Sequence, residues 1–457
     1  MPRRLRATLS TALALAAASP AALARAERPI DWEAVSRQAT DLLQSYIRIR
    51  SINPPADTAE AARFLEGVLR SEGIEARAYE AAPGKVNLMA RLRATRAPAG
   101  SAPLGAVLLL HHMDVVPVDP SRWRVDPFSG EIRDGYLYGR GSVDMKQVGV
   151  IHLLTLAALK RSEVPLKRDV VFLATADEET GGHQGARWMI EHHWDDLAPE
   201  YVLDEGGFGA RDVLGAAGRL VFGVSVAEKK VLWLKLIATG TAGHGSQPTA
   251  DNPNVLLARA LSAIASRTGV GAVPPVVGEL RARIGDLAVN KFTNAIQRDT
   301  VSITALRAGV GEPPKANVIP SSAEATLDCR LLPGTDPDAF LRDIEQALPD
   351  RQRMKLEVIY RMDETPVTPH QTALFAALEK AIRAEHPDAV VAPMLIPYGT
   401  DSNSFRVRGA KAYGLTPMVL DASIIASMHS DEERVPVAEL VRGVRILYNG
   451  LKDFCGG

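Results

Sequence analysis

Gly105-Ala106-Val107-Leu108-Leu109-Leu110-His111-His112-Met113-Asp114 is the stretch from which the fold is read. Six residues without a polar side chain run directly into two histidines and an aspartate. An unbroken apolar run of this length fits a parallel strand covered on both faces. The pattern recurs along the chain. Asp169-Val170-Val171-Phe172-Leu173-Ala174 leads to Asp177-Glu178-Glu179 and then Gly181-Gly182. Tyr201-Val202-Leu203 leads to Asp204-Glu205-Gly206-Gly207, and Leu220 to Val226 is a fourth run. A helical stretch, Met145 to Lys160, separates the first two runs, and residues 31–48 and 58–72 read as amphipathic helices. This alternation predicts an α/β fold whose sheet is mixed, mostly parallel, with helices on both faces.

The rhythm changes near residue 228. Val231 to Ala238, Val301 to Leu306 and Ala323 to Leu332 alternate apolar with polar, and Leu356 to Tyr360 closes the set. Helical patterns at Pro253 to Arg267 and Pro337 to Leu348 lie between them. These segments predict an α+β unit with an antiparallel sheet and two helices. After Met362 the chain returns to helix, strand and helix. The predicted organisation is a catalytic domain in two parts, 27–227 and 362–457, interrupted by an inserted lid or dimerisation domain over 228–361. Residues 268–298, broken by Pro and Gly, read as an inserted arm.

Bulk properties narrow the function classes. A chain of 457 residues predicts two or three domains. With 46% hydrophobic and 23% charged residues, it is neither disordered nor a coiled coil. Lys plus Arg number 53 against 54 Asp plus Glu, so no basic surplus exists to drive nucleic-acid binding. Two cysteines, Cys329 and Cys455, cannot build a disulfide framework or a cysteine-based zinc site. Residues 1–26 have the form of a secretory signal: Arg3, Arg4 and Arg6, then an apolar Leu9 to Ala18, then small residues at Ala22, Ala24 and Ala26. An exported protein, periplasmic or secreted, is therefore expected, with no membrane span in the mature chain.

The acids and histidines gather where the apolar runs stop, and Asp144 opens the helix after Gly139-Arg140-Gly141. Positions just beyond parallel strands line the crevice where α/β proteins bind ligands. Carboxylates crowded there resist ionisation unless a cation neutralises them. A two-zinc centre needs about four N or O ligands for each ion and a carboxylate between them. His112, Asp144, Glu179, Glu205 and a second histidine, His429, would meet that need.

Eight short motifs stand in one order. They are His111-His112-Met113-Asp114-Val115-Val116-Pro117, Gly139-Arg140-Gly141-Ser142-Val143-Asp144-Met145-Lys146 and Asp177-Glu178-Glu179-Thr180-Gly181-Gly182. Leu203-Asp204-Glu205-Gly206, Gly243-His244-Gly245-Ser246, Asn317-Val318-Ile319-Pro320, Asp328-Cys329-Arg330 and the segment around His429 complete them. With these motifs the chain, from residue 31 onward, resembles the co-catalytic zinc exopeptidases and deacylases: aminoacylase, carboxypeptidase G, carboxypeptidase S and acetylornithine deacetylase. It looks nearest to the aminoacylase and carboxypeptidase S branch.

The resemblance implies two Zn2+ ions, with Co2+ or Mn2+ as alternatives, bridged by Asp144. His112 and Glu205 would complete one, Glu179 and His429 the other. It selects His112 over His111, which a strand points to the opposite face; Asp204 remains an alternative to Glu205. Asp114 would orient the metal-bound histidine, and Glu178 would be the general base. His244 would stabilise the oxyanion across the interface of a homodimer. Arg330 would clamp the substrate carboxylate, against the plainer reading of a pair with Asp328 on the same strand face. Asn317 either contacts the substrate carbonyl or caps a turn, and Gly399 and Thr400 belong to a substrate-binding loop. Cys329 faces the other way, as a core thiol. The implied reaction hydrolyses an amide bond beside a free carboxylate in N-acyl amino acids or short peptides. The alternatives are a dipeptidase or carboxypeptidase with strict peptide specificity, and a catalytically silent peptide-binding relative.

Overall fold

Strand Ala106–His112 sits inside a nine-stranded sheet of a computed structural model that describes residues 27–96, 104–215, 218–266 and 272–456. The secretory signal expected at residues 1–26 lies outside the described residues. Among those described, no helix is long and apolar enough to cross a membrane.

The strand is buried along its whole length because both of its faces are covered. Val107 and Leu109 join a core with helices Trp32–Ile47, Lys146–Arg161 and Val437–Cys455. Leu108 and Leu110 join a separate core with helix Ala186–Leu197 and Phe405. Alternating residues of one strand thus feed two layers, which is why the run carries no polar position. Gly149 lets the helix Lys146–Arg161 lie close, since a Cβ there would stand 2.4 Å from the His111 ring.

The sheet is mixed. Its path runs Ala76–Ala82, Lys85–Leu92, Val170–Thr175, Ala106–His112, Pro199–Asp204, Lys411–Gly414, Val221–Glu228 and Val390–Ile396, with Gly209–Ala210 paired off it. Val170–Thr175, Ala106–His112, Pro199–Asp204 and Lys411–Gly414 are parallel neighbours, so their carboxyl ends open on one side.

A second sheet is antiparallel, in the order Thr300–Arg307, Ser322–Leu331, Lys230–Thr239, Met354–Arg361. One face of it packs Leu232, Leu234, Leu236, Leu327 and Cys329 against helices Pro253–Ala265 and Pro337–Gln346. The buried Cys329 belongs to this small core, as its place among alternating apolar residues predicts.

The chain enters the second sheet through Glu228-Lys229-Lys230, three consecutive charged residues that are all buried. Lys229 Nζ donates to the carbonyls of Ala295 and Arg298, and Lys230 pairs with Glu364. The segment read as an inserted arm turns back onto the first domain. Helix Pro275–Ile284 buries Val276, Val277, Leu280 and Ile284 in the same core as Val391 and Met394. Arg283 ties it down by donating to the Val391 carbonyl at 2.8 Å.

Candidate metal centre

Each of the acids and histidines at the strand ends arrives by a different element. His112 is the last residue of its strand, and His111 points away, its Nε2 3.3 Å from the Tyr46 hydroxyl among the helices. Glu205 follows strand Pro199–Asp204. Asp204 turns elsewhere, accepting from the Ser402 amide at 3.0 Å and hydroxyl at 2.8 Å. Glu178 and Glu179 form a single helical turn after Asp177, whose backbone is left-handed at φ 74°. His429, also left-handed at φ 61°, comes from near the end of the chain.

These side chains form two donor groups, His112–Asp144–Glu205 and Asp144–Glu179–His429, with the ligand atoms of each within 4.8 Å of one another. Asp144 is common to both. Its Oδ1 lies 3.0 Å from His112 Nε2 and its Oδ2 lies 3.0 Å from His429 Nε2. Glu205 Oε1 is 3.7 Å from His112 Nε2, and Glu179 Oε1 is 3.5 Å from His429 Nε2.

The donor set fits divalent cations on electrostatic grounds. Burial pushes the Glu178, Glu179 and Glu205 carboxyls up, and neighbouring acids add to the shift. Glu179 Oε1 is buried without a hydrogen-bond donor. Burial likewise opposes ionisation of Asp144, yet the hydrogen bonds from His112 and His429 hold its carboxyl far below the usual range. Acids that must be ionised and imidazoles that must be neutral to serve as ligands crowd together here. Two cations would reconcile both demands.

The surroundings hold this set in place. Asp114, fully buried, accepts from Asn53 Nδ2 at 2.7 Å and from the backbone amides of Glu178 and Glu179, each at 3.2 Å. It therefore fixes the turn that carries both glutamates. Its carboxylate is 3.6 Å from His112 Nδ1, but the nearer partner of that nitrogen is the Asp114 carbonyl, at 2.9 Å. Glu433 binds the amides of Val143 and Asp144 and pairs with Arg140, whose other nitrogen reaches the His429 carbonyl at 3.3 Å. One buried ion pair thus supports both ends of the second group.

A cavity of about 450 Å3 opens over the centre. Glu178 lines it beside Asp144, Glu179, Glu205 and His429, and belongs to neither donor group. Arg330, Gly399 and Thr400 line it too. The Arg330 fork is closed by Asp328, with Nε to Oδ1 at 2.8 Å and Nη2 to Oδ2 at 3.2 Å. Thr400 is anchored through its amide to the buried Glu228. A Cβ on Gly399 would press on Val231 and Met362 at 3.3 and 3.4 Å.

His244 and Asn317 are not in this cavity. His244 stands exposed on a two-residue ladder in which Gly243-His244 pairs with Val318-Ile319, its Nδ1 2.8 Å from the Ser246 hydroxyl, and the exposed Asn317 just before the ladder accepts from the Gly245 amide at 2.7 Å. No described residue of the 272–298 segment reaches the cavity either, so it does not cover the site. The motifs gave no sign of Arg187, Trp233, Tyr360 or Tyr398, which also line it.

Residues 108–453 match the model of peptidase family M20/M25/M40. An N-fatty-acyl-amino acid synthase/hydrolase of Xenopus tropicalis is 31% identical over 356 residues, covering 72% of this chain and 68% of that protein. Aminoacylase-1 of Sus scrofa is 28% identical over 417 residues, 89% of this chain and 92% of the relative. In fold, the chain is similar to the M20 metallo-carboxypeptidase Sso-CP2 of Sulfolobus solfataricus, with a TM-score of 0.68 at 20% identity, covering 91% of this chain and 98% of that one.

Proposed function

The chain belongs to peptidase family M20/M25/M40, and from that membership we propose that it hydrolyses N-acyl amino acids at the amide bond beside a free carboxylate. The observation that carries this reading is Asp144 shared between two donor groups, next to a glutamate that neither group uses. The similarity to aminoacylase-1 of Sus scrofa, along 89% of this chain, supports the same reading. The proposed ions are two Zn2+, with Co2+ or Mn2+ as substitutes. His112, Asp144 and Glu205 would hold one, and Asp144, Glu179 and His429 the other. Bound there, the cations would polarise the scissile carbonyl and make the attacking water more acidic.

The chain's own residues supply the rest. Glu178 lines the cavity with its carboxyl pushed up by burial, which suits a group that must take a proton and return it. It accepts the proton of the attacking water and delivers it to the leaving nitrogen. The products are a carboxylic acid and an amino acid. Arg330, with donors left beyond those given to Asp328, meets the substrate carboxylate. Gly399 and Thr400, fixed through Glu228, form the facing wall.

Short peptides are a second reading, favoured by Asp401. It is buried on the cavity wall and could accept a free ammonium. A homodimer is part of the proposal. His244 is exposed and outside the cavity of its own chain, so a second copy would have to bring it to the site. Export rests on residues 1–26 alone; cell fractionation with an antibody tests it, and a cytoplasmic full-length chain would reject it.

The deciding experiment is a hydrolysis screen by mass spectrometry on the zinc-loaded protein. It pairs N-acetyl and long-chain N-acyl amino acids with dipeptides of the same C-terminal residues, with Glu178→Ala as control. Turnover of the N-acyl compounds is expected. Turnover of dipeptides alone would transfer the function to a peptidase. Silence with zinc bound would leave a binding protein.

A further inference from the structure

Among the described residues, two guanidinium groups line the cavity, and they differ in how their charge is met. Arg330 is matched by Asp328, which also accepts from Trp233 Nε1 at 3.1 Å. Arg187 lies on the first turn of helix Ala186–Leu197, in the catalytic domain. It donates to the Tyr360 hydroxyl of the lid sheet and lies 5.7 Å from the centre of that ring. Tyr360 is itself set against Trp233, with ring centres 5.3 Å apart. Among the described residues, no carboxylate forms an ion pair with Arg187. It is a half-buried, unneutralised guanidinium, held across the gap between the two domains and facing a cavity whose other charged groups are mostly acids.

We propose that Arg187 forms a subsite for a second carboxylate on the substrate, beyond the one beside the scissile amide. The inference rests on the amidohydrolase reading and adds a substrate class to it. A monocarboxylate bound at Arg330 leaves the charge of Arg187 uncompensated. A dicarboxylate compensates it with a bidentate, charge-assisted contact. The Tyr360 hydroxyl and ring already hold the fork in place, so little side-chain freedom is lost on binding. The second carboxylate could belong to an acidic amino-acid side chain or to the far end of a dicarboxylic acyl group; the chemistry at Arg187 is the same.

Steady-state kinetics on the zinc-loaded enzyme separate the two sources. N-acetyl-glutamate is compared with N-acetyl-glutamine, and N-succinyl-methionine with N-butyryl-methionine. The wild type is expected to favour the dicarboxylate of at least one pair by roughly 10- to 100-fold in KM, the range of a charge-assisted hydrogen bond. Arg187→Gln should erase that preference and leave the neutral substrates within about twofold. Tyr360→Phe, which keeps the guanidinium, should retain most of it. Three results would overturn the proposal: no preference in the wild type, a preference that survives Arg187→Gln, or a KM increase shared equally by neutral substrates. If no compound is turned over, the amidohydrolase reading fails on its own. Calorimetric binding of the same four compounds to the same variants then decides the subsite by the same comparison.

Discussion

Glu178 and Asp144 are neighbours in one cavity and should fail in different ways. Glu178 belongs to no donor group, so Glu178→Gln should lower kcat by about 10²- to 10⁴-fold while bound metal stays near the wild-type amount. Metal analysis alongside kinetics checks this, and loss of metal would make Glu178 a ligand. Asp144 belongs to both groups. Asp144→Asn should therefore reduce the metal content at both positions, whereas Glu205→Gln should affect mainly one. Equal losses in these two variants would contradict a shared carboxylate. The candidate ligands were legible because each of the first ones ends an apolar run or opens a helix, where a buried charge has no structural excuse. Arg187, Trp233 and Tyr360 were not. Alone each is an ordinary amphipathic residue, and only the docking of one sheet over another makes them a wall.

Helix Lys146–Arg161 illustrates what an element adds. It is buried almost end to end, and it carries His152 into the core. Burial pushes the His152 imidazole down to about 3 from an ordinary 6.5. An unfolded chain takes up that proton near pH 6.5, while the folded chain refuses it until about pH 3. Between those values the unfolded state binds more protons, so stability falls as pH drops through this window, by up to about 1.4 kcal/mol per pH unit for one group. Urea midpoints from pH 7 down to pH 4 should show the decline, and His152→Leu should flatten it. An unchanged slope would place the acid sensitivity elsewhere. Glu228 makes a second case. It pairs with Arg406 and anchors the Thr400 amide, both buried. Glu228→Ala should lower Tm, since removing one partner of a buried pair costs about 3–5 kcal/mol. It should also raise KM through the freed loop; an unaltered KM in the folded variant would separate the loop from the acid. The change of rhythm near residue 228 marked this junction, but nothing local marks its three charges as buried, because their partners lie 66 to 178 residues away. The role of the arm at 268–298 was hidden for a related reason. Its Pro and Gly breaks are real, but the apolar face of Pro275–Ile284 belongs to the first domain's core.

At the scale of the molecule, strand Thr300–Arg307 stands at the edge of the second sheet, with Ile303 and Leu306 exposed. Long apolar edges are seldom left open. A second copy pairing there would fit the proposed homodimer. Sedimentation should give a dimer, and Ile303→Lys with Leu306→Lys should weaken it. If His244 serves the partner's cavity, that variant should lose activity with dimer content. A monomeric variant at full activity would end the trans role.

The large sheet alternates strands made before and after the lid. Lys411–Gly414 lies between Pro199–Asp204 and Val221–Glu228, and Val390–Ile396 closes the far edge. His429 comes later still. During synthesis, then, the large sheet waits incomplete while the second sheet emerges and finds its own core. This proposed ligand is made only after every strand of the large sheet. A product that stops before residue 390 lacks both a finished sheet and His429, so hydrolysis by this fold would certify that synthesis had passed that point.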